Sequence, residues 1–247
     1  MTAAADVVIS AAAEELPVGP PAPRVAVVIP ARNEEETVAD VVAAAQRVRL
    51  VDDVIVVDNG SSDGTSCAAA GQGARVVTEP VPGKGEAMHT GVAATDAEVI
   101  VFLDADLIDL RADHIDALVE SVLDGAGMAC GLFDRGRLLN PLFVHVLPTL
   151  TGERALRREM FEALTPEFIH GYRIEAGLNS LAKERGVPVV RFVCPGMWHR
   201  PKEEKLGPFR GFTAKVSMLM TAVGAYLLWR VRRRVTRGKG RVLGVPR

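Results

Sequence analysis

Four short runs of β-branched and apolar residues punctuate the first 106 positions: RVAVVIP (24–30), DVIVVD (53–58), ARVVTEP (74–80) and EVIVFLDAD (98–106). Each has strand length and is apolar on consecutive positions, the pattern of a strand buried on both faces. Segments with helical patterning separate them, over 37–48 and from Gly83 to about residue 94. Strands alternating with helices imply βαβ units, hence an α/β domain with a mostly parallel sheet and right-handed crossovers. In such sheets ligands bind beyond the carboxyl ends of the strands. Three of the four runs end there in polar groups: Pro30-Ala31-Arg32-Asn33-Glu34, Asp58-Asn59-Gly60-Ser61 and Asp104-Ala105-Asp106.

The later chain is less regular. GMACGLF (127–133) and PVVRFVCP (188–195) read as strands, and 154–164 and 174–185 read as helices. At 247 residues the chain suffices for one sizeable α/β domain. The sequence divides into a loose, proline-broken segment over 1–23, a main domain over 24–210, and a tail over 211–247. Acidic residues near the start and prolines 17, 20, 21 and 23 argue against a targeting peptide. Cys67, Cys130 and Cys194 form no CxxC pair, which points away from a disulfide framework and towards a reducing, cytoplasmic setting.

The net charge of −2 conceals an asymmetry. Residues 205–247 carry eleven Lys or Arg and no acid, so −2 less eleven positive charges leaves −13 on residues 1–204. Residues 216–229 are almost wholly apolar and RVRRRVTRGKGR follows. The run is shorter than the roughly 20 residues that span a bilayer. A buried or homodimer-interface helix, peripheral membrane contact through 216–241 at the cytoplasmic face, and a short tilted span all stay open. Nucleic acid is not expected, because the basic run has no interleaved aromatics.

Chemistry concentrates in three places. Asp104 and Asp106 follow a buried strand at spacing i, i+2, so on continuing strand both face one side. Like charges that close raise each other's pKa unless a cation neutralises them. Oxygen ligands of this kind suit Mg²⁺ or Mn²⁺ shared with substrate phosphates. In PGKGEA (82–87), Lys84 stands between two glycines at a helix start, where backbone and charge favour an anion. DNGSSDGT (58–65) reads either as a turn with a capped helix or as a ligand contact, with Asp58 positioned to accept hydrogen bonds from a base or ribose.

The set IPARNEE, VVDNGSSDGT, GKGEA and FLDAD, in that order, resembles the family 2 glycosyltransferases over residues 24–210. PGKGEAM, LTGERALRREMFEAL, GYRIEAGLN and HRPKEEKLG resemble a narrower group, the retaining glucosyl-3-phosphoglycerate synthases and related mannosylglycerate-type enzymes. The resemblance implies a GT-A fold, Rossmann-like and mostly parallel, flanked by helices, with a smaller acceptor-side lobe. It implies a metal-dependent hexosyltransferase using a UDP- or GDP-sugar and a small phosphorylated or lipid-phosphate acceptor. Nucleotide-sugar contacts then fall to Pro30, Ala31, Asn33, Glu34, Asp58, Asn59, Lys84, Asp104, Ala105, Thr151, Tyr172 and Glu175. Metal ligation falls to Asp106 and His199, with Asp104 beside them; catalysis rests on Glu175, Lys84 and Asp106. Gly136, Arg137, Gly152 and Glu153 fall on the acceptor side. Two departures stand out: the GRVT-like acceptor segment reads Gly136-Arg137-Leu138-Leu139, and Met197 occupies the place of an arginine two residues before the metal histidine. A polyprenyl-phosphate acceptor is the main rival; a nucleotidyltransferase or a nucleotide-sugar-binding module would be of another class.

Overall fold

A computed structural model of the chain describes residues 22–137, 140, 151–169, 173–200 and 224. Tyr172, the segment 1–21, Leu138, Leu139 and nearly all of 201–247, with the readings placed on 211–247, lie outside the described residues. Among the described residues no helix is long and apolar enough to cross a membrane.

The valine-rich runs form β1 (Val25–Ala31), β2 (Asp53–Asp58), β3 (Arg75–Thr78) and β4 (Val99–Phe102). Between them lie α1 (Val38–Gln46), α2 (Thr65–Gly71) and α3 (Lys84–Ala93). There follow β5 (Leu107–Ile108), α4 (Ala112–Leu123), β6 (Met128–Phe133), β7 (Arg154–Arg157), α5 (Arg158–Glu162), α6 (Arg173–Arg185), β8 (Val189–Cys194) and β9 (Trp198–His199). Seven strands make one sheet in the order β3-β2-β1-β4-β7-β6-β8, and β5 pairs with β9 in a small second sheet. Every neighbour in the large sheet is parallel except β7, which is antiparallel to both β4 and β6.

Strand alternation decides which side chain enters which half of the core. Val25, Val27 and Ile29 of β1 pack with Val38, Val41 and Val42 of α1 and Ile115, Leu118 and Val119 of α4. Ala26 and Val28 pack on the other face with Ala87, Met88 and Val92 of α3, and with Met160, Phe161 and Ile174 from α5 and α6. Gly91 lets α3 settle on the sheet: a Cβ there would collide with Val28 and lie 3.0 Å from Val57 Cγ2. That close approach seats α3 against β1 and β2, beside the point between β1 and β4 where the strand order reverses and such sheets bind ligands.

Two sequence expectations change. Residues 154–164, expected to be helical throughout, begin as β7 and turn into α5 only at Arg158. The gap between β4 and β6 requires a strand, and pairing of Phe102 with Arg154 and Cys130 with Arg154 overrides local propensity. The run ending at Asp106 leaves the ladder after Phe102. Inward and outward alternation nonetheless persists, since Leu103, Ala105 and Leu107 enter the core while Asp104 and Asp106 do not.

Candidate active site

The turn after β1 is locked to the turn after β2. Asn33, held at φ 56°, donates its N–H to Ser61 Oγ (3.0 Å) and accepts at Oδ1 from the Ser62 N–H (2.8 Å). The Glu34 N–H donates to Thr65 Oγ1 (2.8 Å) and the Gly64 N–H to Glu35 Oε2 (2.5 Å). Thr37 Oγ1 donates to the Ala105 carbonyl (2.7 Å), joining this corner to the aspartate turn. Pro30, Ala31, Asn33, Glu34, Asp58 and Asn59 thus gather at one edge, as the sequence implied. Asp58 accepts from the Ser61 N–H (2.8 Å) and from Ser66 Oγ. Burial works against its charge, but these hydrogen bonds prevail and hold its pKa below the ordinary carboxylate value. Both its oxygens therefore organise the turn.

Lys84 is the first residue of α3, a position where the helix dipole disfavours a cation. Its Nζ lies 2.6 Å from Asp104 Oδ1 and 2.9 Å from Glu175 Oε1. Burial opposes its charge, yet Asp104 and Glu175 outweigh that and raise its pKa. Glu175, in the first turn of α6 and buried, is driven the other way: burial alone would raise it, but Lys84 and then Arg154 keep it ionised. One cation thus joins the ends of β4, α3 and α6.

The antiparallel β5–β9 pairing sets His199 opposite Leu107, and the Arg200 N–H donates to the Asp106 carbonyl (2.9 Å). This carries His199 across a long stretch of chain to the aspartates. One ligand atom each from Asp104, Asp106 and His199 lies within 4.8 Å of the others. His199 Nδ1 is buried, stands 3.4 Å from Asp106 Oδ1 and makes no well-formed hydrogen bond. Burial disfavours the imidazolium, but Asp106, Glu153 and Asp104 raise the His199 pKa. A nitrogen donor left without a partner beside two carboxylates fits a divalent cation such as Mn²⁺ or Mg²⁺.

Thr151, Gly152 and Glu153 form the floor. A Cβ on Gly152 would come within 2.6 Å of Asp104 Cγ and Oδ2, so only glycine leaves that carboxylate its place. Thr151 Oγ1 donates to the Gly131 carbonyl (2.9 Å) and contacts the Glu153 carboxylate. Glu153 is buried, its Oε1 lacks a hydrogen bond, and burial followed by the charge of Asp104 pushes its pKa up to about 7. Gly136 and Arg137 instead lie in an exposed turn, in which Asp134 Oδ1 accepts from the Gly136 N–H (2.9 Å) and from Asn140 Nδ2 (2.9 Å). Met197 is buried against the core.

Three contributors had been given no role from the sequence. Arg154 is wholly buried and donates through Nε to the Thr151 carbonyl (3.1 Å), supporting the floor from behind. Arg200 pairs with Glu36 across the mouth of the nucleotide corner. Trp198 stacks edge-on to Phe133 (centroids 5.9 Å apart) beneath Arg135, and Phe133 in turn backs His199 at 4.2 Å.

The mostly parallel sheet, with an acidic DxD turn beyond β4, a buried lysine and a histidine brought in by β9, has the GT-A type of fold. The profile of glycosyl transferase family 2 matches residues 26–178, and the chain belongs to that family. Among curated relatives, the glucosyl-3-phosphoglycerate synthase of Mycolicibacterium smegmatis is 36% identical over 190 residues, covering 62% of each chain. That of Mycobacterium tuberculosis (strain H37Rv) is 35% identical over 193 residues, covering 62% of this chain and 59% of its own. The matched segment therefore spans about three fifths of these relatives' length. Among solved structures, glucosyl-3-phosphoglycerate synthase from Mycobacterium tuberculosis in complex with Mn²⁺, UDP-glucose and phosphoglyceric acid aligns with a TM-score of 0.71 and 32% identity. That match covers 84% of this chain and 80% of the other.

Proposed function

We propose that this protein is a metal-dependent hexosyltransferase that moves glucose from UDP-glucose to a small phosphorylated acceptor. The observation that carries the reading is Lys84, seated between Asp104 and Glu175 next to the Asp104–Asp106–His199 set. The structural relative holds Mn²⁺ and UDP-glucose, which favours uridine over guanosine in the donor. Another structure of the same mycobacterial enzyme holds glycerol 3-phosphate with Mn²⁺ and UDP-glucose, which favours a small phosphorylated acceptor over a lipid phosphate.

Asp106 and His199, with Asp104, would hold Mn²⁺ or Mg²⁺, which stabilises the negative charge that grows on the departing diphosphate. The corner built from Pro30, Ala31, Asn33 and Glu34 receives the nucleoside. Lys84 is already charged and desolvated, so it can transfer its ion pair from carboxylate to phosphate without gaining or losing a proton. Glu175 holds the sugar hydroxyls. Its pKa is depressed rather than raised, which makes it a poor general base and favours retention over inversion. Thr151 lies on the donor side of the reacting centre and Gly152 and Glu153 on the acceptor side, to which the resemblance adds Gly136 and Arg137.

Incubation with Mn²⁺, UDP-glucose or GDP-glucose, and in separate reactions 3-phosphoglycerate, glycerol 3-phosphate or a polyprenyl phosphate, with nucleotide release and product mass followed together, tests this. UDP release coupled to a glucosylated phosphate ester is expected. Release from neither donor, or release with GDP-glucose alone, would overturn the donor assignment, and transfer only to a polyprenyl phosphate would overturn the acceptor.

A further inference from the structure

Asn59, the first residue beyond β2, is only 6% exposed, and its side-chain amide is committed on every donor. Nδ2 donates to the Glu79 carbonyl (2.9 Å) and to the Val81 carbonyl (2.7 Å), and Oδ1 accepts from the Gly83 N–H (2.7 Å). Its own backbone N–H donates to the Ala31 carbonyl (2.9 Å). Two further bonds finish the loop: the Glu79 N–H to the Asp58 carbonyl (2.9 Å), and the Val81 N–H to Glu79 Oε1 (2.6 Å). Gly83 is the N-cap of α3 and Lys84 is its first helical residue. The Gly83 N–H is thus the group through which the Asn59 side chain reaches the start of α3. One residue therefore ties the end of β1, through its backbone N–H, to the start of α3, through its side-chain amide.

An asparagine amide has two N–H donors, and both are spent on carbonyls of this loop. To donate to a nucleobase it would have to leave a buried carbonyl unpaired, which is the costly outcome for a hydrogen bond. We infer that Asn59 is a positioning residue that holds Lys84 in register for the donor diphosphate and makes no direct contact with the nucleoside. This rests on the proposed role of Lys84 at the diphosphate. It takes Asn59 out of the nucleoside pocket in which the resemblance had placed it.

The test compares UDP with uridine, both with Mn²⁺, in wild type, Asn59→Ala, Lys84→Ala and the double variant. Asn59→Ala should weaken UDP about tenfold, or about 1.4 kcal/mol, and leave uridine unchanged. The double variant should lose no more UDP affinity than Lys84→Ala alone, because the two changes remove one interaction. Equal weakening of UDP and uridine, or additive losses in the double variant, would overturn the inference. Asn59→Asp keeps the acceptor for the Gly83 N–H but turns an oxygen towards two carbonyls; it is the second variant if Asn59→Ala folds poorly, and it should show the same selective loss. Hydrogen exchange on the ligand-free proteins supplies a readout independent of the donor. Faster exchange confined to residues 79–85 in Asn59→Ala supports the strut, and unchanged exchange there refutes it. If wild type binds neither UDP nor uridine, the donor reading fails, and the exchange result still decides the role of Asn59.

Discussion

Gly152→Ala is the most discriminating small change available at this site. The added methyl would sit 2.6 Å from Asp104 Cγ and Oδ2, and nearer still to Oδ1. Non-bonded carbon contacts become comfortable at about 3.5 Å, so the carboxylate or the floor must give way by about 1 Å. The floor resists, because Thr151 is fixed to the Gly131 carbonyl and Arg154 grips the Thr151 carbonyl. Asp104 therefore moves, away from a position also set by Lys84 at 2.6 Å. Misplacement of a reacting group by about 1 Å can lower the rate on the order of 10²-fold. Gly152 is not in the left-handed backbone region, so alanine brings no conformational strain of its own, and the fold should survive. The assay is steady-state UDP release at saturating UDP-glucose and Mn²⁺, beside a thermal melt and a Mn²⁺ titration. A loss of kcat by about 10²-fold with a near-native Tm supports the reasoning. Wild-type turnover with unchanged Mn²⁺ affinity would refute the claim that Asp104 is held by the absence of a side chain at 152.

Three further outcomes follow from the same geometry. Lys84→Met leaves Asp104 and Glu175 without their shared cation, so turnover should fall on the order of 10²-fold or more, and Mn²⁺ should raise the Tm of the variant more than that of wild type; equal Tm shifts count against the electrostatic reading. His199→Ala should weaken Mn²⁺ binding roughly tenfold or more by calorimetry while leaving the fold intact, and undiminished affinity would remove His199 from the ligand set. Glu153, with a folded pKa of about 7 against about 4.3 unfolded, binds more protons when folded; its contribution is fully present below about pH 4.3 and is lost as pH rises through 7. Glu153→Gln in chelator should therefore gain stability relative to wild type between pH 5 and pH 8, by about 4 kcal/mol at most, and parallel pH profiles would contradict the assigned shift.

The runs RVAVVIP and DVIVVD were legible as central strands because both of their faces are apolar, and burial on both faces is what parallel packing demands. The residues at their carboxyl ends were legible as a site for the same reason, since the topology gives a ligand crevice nowhere else. Lys84 and the two aspartates lie close in sequence to helix and strand ends, and the resemblance to family 2 glycosyltransferases implied that they meet at the diphosphate. Residues 154–157 were not legible, because a strand held between two antiparallel neighbours owes its conformation to those neighbours and not to its own composition.

What the sequence determined by itself was therefore local: a parallel α/β core, an acidic turn at its edge, and a lysine at a helix start. The resemblance had already joined His199 to Asp106, but only the tertiary structure decided that the β5–β9 ladder brings them together, that Glu175 shares Lys84 with Asp104, that Gly152 must lack a side chain, and that the Asn59 amide serves the 79–83 loop. The reason is physical. Hydrophobic periodicity is written into neighbouring residues, whereas hydrogen bonds and ion pairs between distant segments exist only once packing has fixed distances to a few tenths of an ångström.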